Sequence, residues 1–266
     1  MPEDARHKDG GIRVVITGKD GAGKTTLAAL LSHLFAREGK RVLVIDSDPR
    51  RNLAEALGIP KTKAEGIVPV VKDPAGRSPS GTGARDLVAR CSVQAGENLR
   101  LLVMGGEKET GEVCPGPEYT LLAAILQQMK NFPDDVVILD TAAGLEQFGR
   151  AISGGFTSAV VVTDATYNAV SVARKSAALA HQRGIENVIL VINRAENSGD
   201  IHNVCGGEGG IAEFTQTVIL PVEPKVNQPG HSVVSLTDSD SALVSNAKIL
   251  MAAIAGRCER WSPPAR

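Results

Sequence analysis

The sequence predicts an α/β fold: a doubly wound, mostly parallel sheet flanked by helices and folded as a single domain. Three observations carry this. Short β-branched apolar runs alternate with segments of helical period along the chain. Several of those runs are apolar throughout rather than alternating, as strands covered on both faces are. The length, 266 residues, suits one large domain with an ample core.

Residues 12–16 are the first predicted strand. A helix over about 23–38 follows, with Leu27, Leu30, Leu31, Leu34 and Phe35 on one stripe. Gly39 lies just past it, where a left-handed C-terminal cap is expected. Residues 42–45 make the next strand and close a strand–helix–strand unit. Residues 60–84 are rich in Pro, Gly, Ser and Lys and read as a surface excursion whose structure the sequence leaves open. Residues 101–104 form a short strand, and Tyr119, Leu122, Ile125, Leu126 and Met129 mark an amphipathic helix. Strands at 136–139, 159–162 and 188–192 come next, the last two joined by a helix over 168–183. A strand at 218–220 and a helix over about 241–255 complete the domain. The domain is placed at residues 11–256, between an N-terminal tail of 1–10 and a C-terminal tail of 257–266.

Composition narrows the function classes. Lys+Arg number 29 against 30 Asp+Glu, a formal charge of -1, which argues against a globally basic nucleic-acid binder. Aromatics at 3 % leave little for base-stacking platforms. No apolar run approaches the roughly 20 residues that span a bilayer, and residues 1–10 hold no apolar export signal. The four cysteines, Cys91, Cys114, Cys205 and Cys258, are widely spaced and read as thiols or ligands rather than a disulfide framework. A cytoplasmic protein with no membrane or nucleic-acid partner is expected.

The strongest local signal is Gly18-Lys19-Asp20-Gly21-Ala22-Gly23-Lys24-Thr25, which fits G-x-x-x-x-G-K-[ST] directly after a strand and before a helix. Glycines let successive backbone N–H groups converge on an anion, and the helix N-terminus adds positive potential. The segment resembles the phosphate-binding loop of P-loop NTPases. ATP or ADP is the expected ligand, held by Gly21, Ala22, Gly23, Lys24, Thr25 and Thr26. Lys24 is expected to reach the β- and γ-phosphates and the Thr25 hydroxyl to ligate Mg²⁺.

Lys19, immediately after the first glycine, resembles the signature lysine of the deviant Walker A class, the MinD, ParA and nitrogenase iron protein ATPases. The resemblance implies an ATPase that forms an ATP-dependent homodimer, with Lys19 crossing to the partner's nucleotide. It departs from that class at Asp20, where glycine is usual; a carboxylate there repels polyphosphate unless it turns away or pairs with a lysine. Asp46-Ser47-Asp48-Pro49 resembles the first switch of the class, which assigns Asp48 to the attacking water and Asp46 to the outer Mg²⁺ shell and the loop lysine. Residues 136–144, an apolar strand ending in Asp140-Thr141-Ala142-Ala143-Gly144, resemble Walker B fused to the second switch. Asp140 would then contact Mg²⁺ through water and Gly144 would sense the γ-phosphate. By the same likeness Asn193 reads the adenine edge with Arg194 stacking nearby, and Pro221, Val222 and Glu223 form the second wall of the base pocket.

Within that class, residues 104–119 with Cys114, followed by Asp-Thr-Ala-Ala-Gly-Leu-Glu at 140–146 and Val-Ile-Asn-Arg at 191–194, resemble the CooC family. Those are the nickel-insertion ATPases of carbon monoxide dehydrogenase maturation. The likeness implies a metallochaperone that takes Ni²⁺ or Zn²⁺ at Cys114 on the dimer interface and serves a client metalloenzyme. Here too the chain departs: the family's Cys-x-Cys has Gly116 at its second position, leaving two thiolates per dimer and other ligands to be found, Glu112 among them. A packed, inert thiol is the alternative for Cys114. His202 and Cys205 have ligand-like spacing in a glycine-rich loop, where such a pair is usually incidental. Two other functions stay open: a MinD/ParA-type positioning or partitioning switch, and an iron-protein-like electron donor, which needs a second cysteine at a matching motif.

Overall fold

The computed structural model describes residues 11–70, 84–104, 122–127, 135–142, 155–164, 166–195, 212–227 and 233–256. Strands β1 (Ile12–Gly18), β2 (Arg41–Asp46), β3 (Val93–Gly96), β4 (Leu99–Val103), β5 (Asp135–Asp140), β6 (Ser158–Thr163), β7 (Asn187–Ala195) and β8 (Gln216–Pro221) form one sheet. Its order is β3-β4-β2-β5-β1-β6-β7-β8. Every pairing is parallel except the β3–β4 hairpin at one edge. The helices are α1 (Lys24–Arg37), α2 (Leu53–Ala56), α3 (Lys61–Ala64), α4 (Ala84–Cys91), α5 (122–127), α6 (Tyr167–Gln182) and α7 (Ala242–Ile254). No helix among the described residues is long and apolar enough to cross a membrane.

The strands are apolar on both sides because both sides are covered. Along β1, Val14 and Ile16 enter one core with Leu27, Leu31 and Leu34 of α1 and Leu250 of α7, while Val15 enters the other with Ala177 of α6 and Ile125 of α5. β5 divides the same way, Val136 and Ile138 against Val137 and Leu139. This is the period-2 alternation of a strand inserted between two helical layers.

Each predicted strand and helix with described residues is present, its ends displaced by a few residues. Gly39 takes φ 79° and closes α1, with the Lys40 N–H donating to the Phe35 carbonyl at 3.2 Å, as the cap requires. Ser241 caps α7 by accepting from the Val244 N–H at 3.3 Å. Of the surface excursion at residues 60–84, whose structure the sequence leaves open, described residues 60–70 carry α3 and bury Ile67 in one core and Val70 in the other. The edge strand β3 goes unread in the sequence because its residues are half-buried or exposed and end in glycine, which erases the alternating signal.

β1 runs on past the predicted end to Gly18, paired with Val162 of β6. There φ is 134°, and a Cβ would lie 2.0 Å from the Val162 carbonyl oxygen, so only glycine fits. Gly39, by contrast, has open space around it. Gly39→Ala is therefore expected to cost about 1–2 kcal/mol, the ordinary price of a left-handed L-residue. Gly18→Ala should cost several times more or prevent folding. Urea denaturation followed by circular dichroism measures both, and equal losses would contradict the contact.

Candidate functional site

The carboxyl ends of β1, β2, β5 and β6 converge on one edge of the sheet, where open α/β folds place their ligands. β1 delivers the chain into the loop at residues 18–23, and α1 leaves from it. Gly21 and Gly23 adopt φ of 74° and 97°. Gly23 is the N-cap of α1, with no side-chain cap and no acidic residue in the first turn. The amides that open a 14-residue helix thus face outward without a side-chain acceptor, the arrangement that receives an anion.

Lys24 is 5 % exposed, and its Nζ donates to the Lys19 carbonyl at 2.9 Å, folding back over the loop. Burial pulls the Lys24 pKa down while nearby Asp140 pushes it up. At the β5 end Asp140 is fully buried, and its Oδ2 accepts the Thr25 hydroxyl at 2.7 Å. The other oxygen, Oδ1, is buried without a partner. Burial drives the Asp140 carboxyl up to about 7. An orphaned carboxylate oxygen beside a threonine hydroxyl at a helix N-terminus is a hard-oxygen donor set. It fits Mg²⁺, which is generally held by one or two carboxylates together with substrate phosphates.

At the end of β2, Asp46 is 1 % exposed. Its oxygens accept the N–H groups of Asp48 at 2.9 Å and Leu53 at 3.3 Å, so in this structure it shapes the loop after β2. Burial raises its pKa to about 6. Asp48 accepts the Arg50 N–H at 2.9 Å. Ser47 ties this loop to β5, its hydroxyl donating to the Asp140 carbonyl at 2.6 Å. Asp20, predicted to repel polyphosphate unless it pairs with a lysine, pairs with an arginine instead: its Oδ2 lies 2.6 Å from Arg50 Nη2. That pairing holds the Asp20 carboxyl below the usual range. Lys19, expected to cross a dimer interface, lies 3.6 Å from Asp164 Oδ2 of its own chain.

On the other side of the loop, Asn193 Nδ2 donates to the Ala22 carbonyl at 2.8 Å and packs on Gly23, where a Cβ would approach to 2.3 Å. Arg194 takes φ 57° and donates from Nη2 to the Gly21 carbonyl at 2.9 Å. It braces the loop here rather than standing free to stack. Both residues line an open cleft together with Thr26, Pro221, Val222 and Glu223. Residues 193–194 and 221–223 thus face one cleft beside α1.

Arg50 and Asp164 escape the sequence reading. Each had a signal: Asp164 follows the end of β6 on the functional edge, and Arg50 follows the Asp-x-Asp-Pro turn. Cys114, Glu112, Gly116, Gly144, His202 and Cys205 lie outside the described residues. Among the described residues no three His, Cys, Asp or Glu side chains gather as a metal cluster.

Comparison with known proteins agrees with this geometry. Residues 13–205 match the CobQ/CobB/MinD/ParA nucleotide binding domain. An ATP-binding protein of Methanocaldococcus jannaschii is 34 % identical over 200 residues, covering 70 % of this chain and 76 % of that protein. The carbon monoxide dehydrogenase accessory protein CooC of Rhodospirillum rubrum is 26 % identical over 261 residues, 92 % of this chain and 97 % of its own. The fold also matches the septum site-determining protein MinD complexed with Mg-ADP from Pyrococcus horikoshii, with TM-score 0.65 and 18 % identity over 94 % of this chain and 99 % of that one. The chain belongs to the CobQ/CobB/MinD/ParA nucleotide-binding family and is an ATPase.

Proposed function

We propose that this ATPase is a maturation factor of the nickel-insertion type, which dimerises on Mg-ATP and serves a metalloenzyme such as carbon monoxide dehydrogenase. The observation that carries the client assignment is the nearly end-to-end likeness to the CooC accessory protein, 92 % of this chain against 97 % of that one.

The loop at residues 21–26 holds the phosphates, with Lys24 on the β- and γ-groups. Asn193, Arg194, Pro221, Val222 and Glu223 enclose the adenine. Thr25 and Asp140 would hold Mg²⁺, Asp140 through water, with Asp46 behind them. The ion held there would supply positive charge to offset that of the phosphates. Asp48 orients the attacking water. Lys19 leaves Asp164 and reaches the nucleotide of the partner subunit, so turnover waits for two chains to close. Nickel is cargo in this scheme, and Cys114 is its thiolate on the shared interface.

Lys19→Ala and Asp48→Ala are each expected to retain ATP binding and lose hydrolysis, by about 10²-fold or more, as removal of a transition-state group does. Turnover at the parent rate in both would remove these roles. The raised pKa of Asp140, about 7, gives a second test. Below that pH the free protein carries the proton, whereas Mg²⁺ needs the carboxylate. Mg-ATP uptake below pH 7 therefore releases protons and strengthens as pH rises, and Asp140→Asn abolishes the release; calorimetry in buffers of different ionisation heat measures it. For the client, nickel-free carbon monoxide dehydrogenase given Ni²⁺ and ATP should gain activity faster with the parent than with Cys114→Ala. If neither protein accelerates it, the ATPase stands and the maturation role falls, leaving the positioning-switch reading.

A further inference from the structure

The exposed ion pair beside the phosphate loop has no part in the scheme above. Asp20 Oδ1 accepts the Gly21 N–H at 3.0 Å, and Oδ2 accepts from Arg50 Nη2 at 2.6 Å. One oxygen thus sits on an amide of the loop itself, and the other on a guanidinium brought across from the loop after β2. The carboxylate stands in for an anion. We propose that Arg50 is a nucleotide-binding residue that exchanges the Asp20 carboxylate for the γ-phosphate, with Asp20 acting as an internal competitor for the same donors. This rests on the reading of residues 21–26 as the ATP site.

The physical case has three parts. The side chains of Arg50 and Asp20 are 60 % and 56 % exposed, so the pair is screened by water and easily opened. A triphosphate carries more charge than a carboxylate and accepts the planar guanidinium through two oxygens at once, so it wins the exchange. The backbone of Arg50 is fixed, its N–H held by Asp48 Oδ1 at 2.9 Å, so only the side chain must swing. Lys24 is near enough for its charge to bear on this same space, since the fields of Asp20 and Arg50 both reach it. Arg50 is therefore a cation supplied by the chain's own loop, distinct from the lysine expected from a partner.

A double-mutant cycle tests this, with ATP and ADP affinities measured by calorimetry on the parent, Asp20→Asn, Arg50→Ala and the combined variant. Asp20→Asn should tighten ATP binding. Arg50→Ala should weaken ATP by about tenfold or more, the loss of a charge-assisted contact, and ADP by much less. The decisive arm is Arg50→Ala in the Asp20→Asn background. A phosphate ligand still costs ATP affinity there, whereas a residue that merely neutralises Asp20 costs nothing, which would overturn the proposal. Equal losses for ATP and ADP would also overturn it, by removing the γ-phosphate. Parent protein that binds neither nucleotide would instead bring down the ATP reading on which this stands. Both residues lie at the surface, and a thermal melt of each variant checks that the fold is kept.

Discussion

The site depends on one backbone contact, the approach of Gly18 to Val162 at the end of β1. β1 lies between β5 and β6, with Ile16 opposite Asp140 and Gly18 opposite Val162. That register fixes where the loop leaves the sheet and sets Thr25 under the Asp140 carboxylate. A side chain at residue 18 would force β1 and β6 apart, and the loop, the first turn of α1 and the β5 carboxylate would lose their common frame. Two apolar cores, one on each sheet face, hold this edge rigid, so the polar groups at the strand ends need only be aimed.

The charges at that edge are arranged for a resting state. Three cations beside the loop have an acceptor in the same chain: Lys19 on Asp164, Arg50 on Asp20, Lys24 on the Lys19 carbonyl. The two deep carboxyls, Asp46 and Asp140, are pushed upward by burial, so near neutrality they sit close to the boundary between acid and anion. In the proposed cycle a nucleotide with its Mg²⁺ exchanges these internal partners for phosphate and metal. Because the internal pairs are partly solvated, releasing them costs little, and the fold keeps its cations placed without locking them.

Much of this was legible in the sequence, for physical reasons that differ residue by residue. The buried strands announce themselves because cover on both faces makes them apolar throughout, as at residues 136–139 and 159–162. Gly18, Gly23, Lys24 and Thr25 are legible because few residue types satisfy that geometry at that spacing. The β3 edge strand is not, since an edge needs no apolar face, and neither are Ile67 and Val70, whose burial is set by the fold around them. The Asp20–Arg50 and Lys19–Asp164 pairs span 30 and more positions of chain, and only the sheet order brings them together. Asp46 reads as an outer-shell residue from its motif, but the amides of Asp48 and Leu53 that its oxygens also accept are set by the path of the loop after β2 and are not legible there.

The central claim is that the unpaired Asp140 oxygen, with Thr25, holds the divalent ion that accompanies a nucleotide. Its most direct test is the dependence of ATP affinity on Mg²⁺, measured by titration calorimetry with the ion present and with it chelated. The account predicts that Mg²⁺ tightens ATP binding to the parent and has no such effect on Asp140→Asn. ATP affinity that is the same with and without Mg²⁺ in the parent would contradict it.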